Sequence, residues 1–209
     1  MIKFLSIIYR AYTKIKHFLT KHIDRIRTKI IFSANNVIYS SFRTSGYPIV
    51  SVQKKGLFKI GKNFAMNNGM QGNQIGYTTP CIFIVDELCK LNIGKNVGIS
   101  QTTLIAKADI TIGDNVKIGG GTKIYTTDFH SLKFLERRDR RIDMTMKKCA
   151  PIILEEDCFI GSGTIILKGV RVGSKSIIGA GSVVTKNVPP NEIWAGNPAK
   201  FIRKIEEEI

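Results

Sequence analysis

Six aliphatic side chains, Leu154, Ile160, Ile166, Val172, Ile178 and Val184, follow one another at a spacing of six residues without exception. Six is a multiple of the two-residue period of a strand, so all of them point to one side of an extended chain, whereas an α-helix would scatter them round its axis. Four residues after each lies a small or β-branched side chain, Cys158, Thr164, Val170, Ser176, Ser182 or Val188, and Gly161, Gly173 and Gly179 directly follow their aliphatics. A short strand with one large inward aliphatic, one smaller inward residue and a turn glycine makes a flat face. Three faces close a triangular coil, and stacked coils pair as parallel strands about 4.8 Å apart. The predicted fold class is therefore all-β, a parallel β-helix of six-residue repeats.

An earlier run reads Ile93, Ile99 and Ile105, then slips by one residue and continues as Ile112, Ile118 and Ile124. Residues 93–188 supply roughly four coils at this repeat length, and Ile60 with Met66 in "KIGKNFAM" mark another before them. Two excursions break the rhythm. Residues 67–81, "NNGMQGNQIGYTTPC" after Met66, are rich in Gly and Asn and read as a loop. Between Ile124 and Leu154 the phase alone would allow more coils, but the inward positions would be His130, Glu136, Ile142 and Lys148, and only Ile142 is apolar. Residues 126–150 are therefore predicted to protrude as a loop, and a long loop on a repetitive fold is usually functional. Pro189-Pro190 cannot continue a paired ladder. Beyond the β-helix domain, taken as 32–198, Phe201, Ile202, Ile205 and Ile209 stand at helical spacing, which predicts a short C-terminal helix over 199–209.

Residues 1–31 place Phe4, Ile8, Ala11, Ile15, Leu19, Ile23, Ile26 and Ile30 at steps of three and four, the stripe of an amphipathic helix. Its other faces carry eight basic residues, from Lys3 to Lys29, against the single acid Asp24. That pattern fits a helix lying on an anionic membrane surface and equally one packed on its own domain or a subunit neighbour. The whole chain carries a formal charge of +16, so an anionic partner is expected: nucleic acid, acidic lipid or a small molecule bearing phosphates. No nucleic-acid-binding motif is present, and aromatic residues are not interleaved with the basic ones, which argues against the first. No apolar run reaches the roughly 18 residues of a membrane span and no signal-peptide pattern is seen. Four cysteines without a C-x-x-C pair point to free thiols. These features together predict a cytoplasmic protein, peripheral on the membrane's inner face if the helix binds lipid.

Residues 57–205, and above all the tail "IIGAGSVVTKNVPPNEIWAGNPAKFIRKI", resemble the left-handed β-helix acyltransferases of the hexapeptide-repeat family, most closely the sugar and xenobiotic O-acetyltransferase branch. The left hand of the helix is implied by this resemblance alone, since general connection rules favour a right-handed crossover. The resemblance implies acetyl-CoA as donor substrate, a homotrimer with sites in the grooves between cylinders, and no metal. It maps the catalytic histidine of the family onto His130 in "YTTDFHSL", and an acceptor-positioning asparagine onto Asn67, with Asn68 or Asn73 as substitutes. Ser162, Ala180 and the Thr185-Lys186 pair match coenzyme-contacting positions, with Lys200 and Arg203 able to meet its phosphates. Asp128 is either the acid that orients the imidazole or a turn former, a backbone N–H near Ser162 could serve the oxyanion, and Trp194 reads as a packing anchor. The run "ERRDRRID" reads as a solvated loop face. His17 and His22 lie in the basic helix, which leaves His130 for a site made of coils and rules out a three-histidine zinc centre there. The expected acceptor is a carbohydrate hydroxyl of an envelope or exopolysaccharide precursor; serine, an aminosugar, a xenobiotic, or a noncatalytic scaffold are the alternatives.

Overall fold

A computed structural model of the protein describes residues 2–206, with the side chains of all of these except Ile2, Lys3, His17 and Gln71. A long helix, α1 (Ile2–Ala34), leads into a stack of six triangular coils. The first face is Ile38–Tyr39, Leu57–Ile60, Lys90–Ile93, Ile110–Ile112, Ile152–Leu154 and Arg171–Val172, all paired in parallel. The second face stacks Phe42–Ser45, Phe64–Asn67, Gly98–Ser100, Lys117–Ile118, Phe159–Ile160, Ile177–Ile178 and Glu192–Ala195. The third is Ile49–Val52, Ile82–Val85, Thr103–Ala106, Lys123–Tyr125, Ile165–Ile166 and Val183–Val184. This is the left-handed parallel β-helix that the repeat and the resemblance implied.

The six-residue run is the core. Leu154, Ile160, Ile166, Val172, Ile178 and Val184 are fully buried, one on each face in turn, and Cys158, Thr164, Val170, Ser176, Ser182 and Val188 fill the spaces between them. Gly161 shows why glycine follows the aliphatic: a Cβ there would lie 2.4 Å from the Ala180 amide nitrogen of the next coil. Burial also holds the Cys81 and Cys158 thiols up at about 12, so neither is a nucleophile. At the corner between the first and second faces Asn63, Asn96 and Asn115 adopt positive φ, which asparagine tolerates, and their side chains form a ladder at 3.1 and 3.0 Å.

The structure corrects two expectations, on Ile105 and on the C-terminal helix, and adds two features, the first coil and the seating of α1. Ile105 is not inward: in Thr103–Ala106 the buried residues are Leu104 and Ala106, so the spacing of six already breaks after Ile99. Residues 38–52 form a full coil that has no glycine-aliphatic signature, and its open end is plugged by Phe32 of α1, which meets Phe42 at 5.2 Å and Phe58 at 6.3 Å between ring centroids. The predicted C-terminal helix is a strand, Lys200–Lys204, which folds back antiparallel on Glu192–Ala195; residues 207–209 of that prediction lie outside the described residues. The unpaired edge of the last coil offers backbone partners that a short solvent-exposed helix would lack. Finally, α1 does not pack through its apolar stripe. Asp24, Thr28 and Phe32 face the coils, and Asp24 Oδ2 accepts a hydrogen bond from the Gly46 amide at 2.7 Å.

Candidate active site

The third-face strand Lys123–Tyr125 ends at Tyr125, and the chain leaves the cylinder at the corner between the third and first faces. The excursion over 126–150 is closed at its base by a bridge between Thr127 and Cys149 and contains α3 (Phe134–Arg137) and α4 (Arg140–Met146), preceded in the chain by α2 (Gly69–Gly72) in the other excursion. Asp139 caps α4, accepting from the Arg141 and Ile142 amides, which is what a capping carboxylate does for the orphan N–H groups of a first turn. The cap sets Asp143 one turn on, facing inward and buried.

His130 meets Asp143 there. The distance from His130 Nδ1 to Asp143 Oδ2 is 2.6 Å, and Asp143 Oδ1 accepts from the Ser131 amide at 2.7 Å. These two hydrogen bonds, the imidazole's first, hold the Asp143 carboxyl below the usual carboxylate range. An ionised carboxylate only accepts, so the ring carries its proton on Nδ1 and presents the lone pair of Nε2. The imidazole side chain is 67% exposed while that of Asp143 is 8% exposed: a ring at the surface is held by a buried carboxylate. The surrounding turn is fixed as well. Ser131 Oγ donates to Glu136, Arg137 donates to the Ser131 carbonyl at 2.7 Å, and the Phe129 ring packs edge-on against Tyr125 at 5.2 Å.

Asp128, the sequence candidate for orienting the imidazole, is engaged elsewhere. Its Oδ1 accepts from Lys168 Nζ at 2.6 Å, tying the loop base to the coil beneath. The orienting acid belongs instead to the run "ERRDRRID", read from sequence as a solvated face. Thirteen residues separate Asp143 from His130, and nothing in their spacing announces the pair; the one sequence cue is Asp139, a helix-capping residue ahead of a turn that would carry Asp143.

The remaining candidates divide between two corners. Thr185 and Lys186 are exposed at the same third-to-first corner as His130, after Val183–Val184. Ser162 and Ala180 stack at the second-to-third corner, where Gly181 N donates to the Ser162 carbonyl at 2.8 Å. Lys200 extends that column, since it pairs with Ala195 at the same corner, while the exposed Arg203 lies opposite Ile193. The other excursion, 67–81, leaves from this corner too. Its Tyr77 ring lies over Gly121, where a Cβ would come within 2.3 Å of it and φ is +74°. The buried Gln101 amide sits 2.9 to 3.1 Å from the carbonyls of Gly69, Asn73 and Tyr77 and so pins the loop.

Asn67 is half-buried and donates to Ser100 Oγ at 3.1 Å. It lines a cleft of about 410 Å³ together with Lys21, Arg43, Thr44, Ser45 and Gly72. Asn68 cannot replace it, because it is buried and accepts from the Cys81 amide while donating to Thr44 and Ser45. Trp194 stacks on Ile178 in register and packs against the core, as an anchor should.

Residues 151–186 match the family described as the hexapeptide repeat of succinyl-transferase. A putative acetyltransferase of Schizosaccharomyces pombe is 44% identical over 106 residues, 51% of this chain and 48% of that one. Galactoside O-acetyltransferase of Lactococcus lactis is 37% identical over 121 residues, 54% of this chain and 56% of the enzyme. The chain thus spans about half the length of these curated relatives. The crystal structure of a hexapeptide-repeat-containing acetyltransferase of Vibrio cholerae, complexed with acetyl coenzyme A, is 26% identical with a TM-score of 0.50, covering 88% of this chain and 78% of that one. Residues 151–186 thus carry the hexapeptide repeat, and acetyltransferases built on that repeat are what the chain's sequence and fold are similar to.

Proposed function

We propose that the protein is an acetyl-CoA-dependent O-acetyltransferase whose acceptor is a sugar hydroxyl, with His130 as general base. The observation that carries this reading is the His130–Asp143 pair, which fixes the proton on Nδ1 and frees Nε2 at an exposed edge. Nε2 takes the proton of the acceptor hydroxyl as its oxygen attacks the thioester carbonyl, and ionised Asp143 stabilises the imidazolium that results. A backbone N–H near Ser162 receives the oxyanion. Collapse breaks the carbon–sulfur bond, and the departing coenzyme A sulfur takes the proton back from Nε2, leaving the sugar ester and the free thiol.

Asn67, Ser162, Ala180 and Lys200 sit at one corner of the cylinder and His130, Thr185 and Lys186 at another. That separation supports a homotrimer in which the two corners of neighbouring copies meet to complete each site, with acetyl-CoA in the groove between them. Lys21 and Arg43 beside Asn67 give the acceptor cleft a positive rim, which favours an acceptor carrying phosphate, as nucleotide-activated and lipid-linked envelope sugars do. Such precursors place the enzyme in the cytoplasm.

The test is a screen of the purified protein with acetyl-CoA against nucleotide sugars, lipid-linked sugars, serine and xenobiotics, reading thiol release. Release with a phosphate-bearing sugar bears the reading out. Release with serine or a xenobiotic alone moves the acceptor class, and failure to bind acetyl-CoA at all leaves the protein a noncatalytic scaffold.

A further inference from the structure

We propose that α1 is a membrane-docking helix that lays its outer face on an anionic lipid surface while its inner face holds the coils. At about 1.5 Å per residue its 33 residues reach roughly 50 Å. Only its last third is committed to the domain, through Asp24, Thr28 and Phe32 at successive turns of one face. Half a turn away runs the apolar stripe, Phe4, Ile8, Ile15, Leu19, Ile23 and Ile26, with exposures from 49% to 67%. An uncovered apolar band of this length on a protein surface marks a contact.

Charge selects the partner. Exposed Arg25 and Lys29 line one border of the stripe and Lys16 the other, where its ammonium lies 5.9 Å over the Tyr12 ring. The only acid of the helix, Asp24, is buried and bonded to Gly46, so it neutralises none of these borders. Two copies packed stripe to stripe would bring like-charged borders together, whereas an acidic bilayer accepts both the apolar band and the cations beside it. Among the described residues no helix is long and apolar enough to cross a membrane, so α1 lies on the surface.

Co-sedimentation with vesicles of three parts phosphatidylcholine to one part phosphatidylglycerol, compared with phosphatidylcholine alone, tests this without reference to acetyl transfer. The intact protein binds the acidic vesicles at low salt, and binding weakens as salt shortens the screening length below about 10 Å. The double variant Lys16→Gln/Lys29→Gln loses about 30-fold in binding, the product of two surface charges. Ile15→Glu/Leu19→Glu abolishes binding with unchanged thermal unfolding, because Asp24, Thr28 and Phe32 are intact, and with unchanged molar mass in solution. No binding to acidic vesicles at low salt, or equal binding by Ile15→Glu/Leu19→Glu, overturns the proposal. A smaller molar mass for that variant overturns it too, since a second copy would then be what covers the stripe.

Discussion

The two excursions from the cylinder are held in opposite ways. Residues 67–81 rest on the coil surface, pinned by one buried glutamine to backbone carbonyls and seated where glycine leaves room for the Tyr77 ring. Residues 126–150 stand off the surface, and their order depends on carboxylates: Asp139 on a helix end, Glu136 on Ser131, Asp143 on His130 and Asp128 on Lys168. Shape fixes the first loop and ionisation fixes the second. A catalytic imidazole needs the second kind of support, because the charge that orders the loop also stabilises the protonated ring during transfer.

Removing the scaffold beneath both should have the largest effect. Ile166→Asp puts an unpaired carboxylate inside the stack and should yield no soluble folded protein; native circular dichroism would show the inward register to be wrong. Next comes His130→Ala, expected to lower kcat by about 10²- to 10⁴-fold with coenzyme affinity nearly unchanged, as measured by steady-state kinetics and direct acetyl-CoA binding.

Asp143→Asn sharpens the contrast, since it preserves shape and removes charge. It should lower kcat by about 10²-fold with little change in KM for acetyl-CoA, while Asp128→Asn stays within about threefold and shows its effect in thermal unfolding. Equal losses in both would return Asp128 to the role of orienting acid. The Asp143 carboxyl is depressed in the folded state, so its contribution is complete above the ordinary aspartate value of about 3.9 and is lost as pH falls through its own lower value. Proteolytic protection of 126–150 should therefore persist in the wild type to about pH 4 and be weakened at every pH in Asp143→Asn. The smallest effect belongs to the first loop: Gln101→Leu should cost about 1–3 kcal/mol in urea unfolding by stranding its carbonyl partners, and its stability difference should not depend on pH between 5 and 8.

What the sequence reveals follows the same divide. Leu154 to Val184 could be placed inward because every coil repeats the same steric demand, and the failure of His130, Glu136 and Lys148 to meet it located the long loop. The coil over 38–52 was hidden because aromatic plugging by Phe32 and Phe42 replaces the repeat there. Phe201, Ile202 and Ile205 suit a helix by spacing, but pairing with Glu192–Ala195 satisfies the backbone of both segments, and tertiary contact overrides the local period. Asp143 escaped detection because its role comes from a fold-back across thirteen residues that only a helix cap directs.

A pile of parallel strands with identical spacing has the geometry of a growing fibril, whose tip recruits the next chain through unsatisfied N–H and C=O groups. Each tip of this cylinder carries an obstacle to such growth. At one, Phe32 and α1 lie over the core of the first coil, and at the other the reversed strand Lys200–Lys204 covers the second face with a row bearing Lys200, Arg203 and Lys204. A second molecule approaching that row would meet like charge before it met an open backbone. The same cations proposed to greet coenzyme phosphates thus also act as a stop that keeps the stack at a finite height.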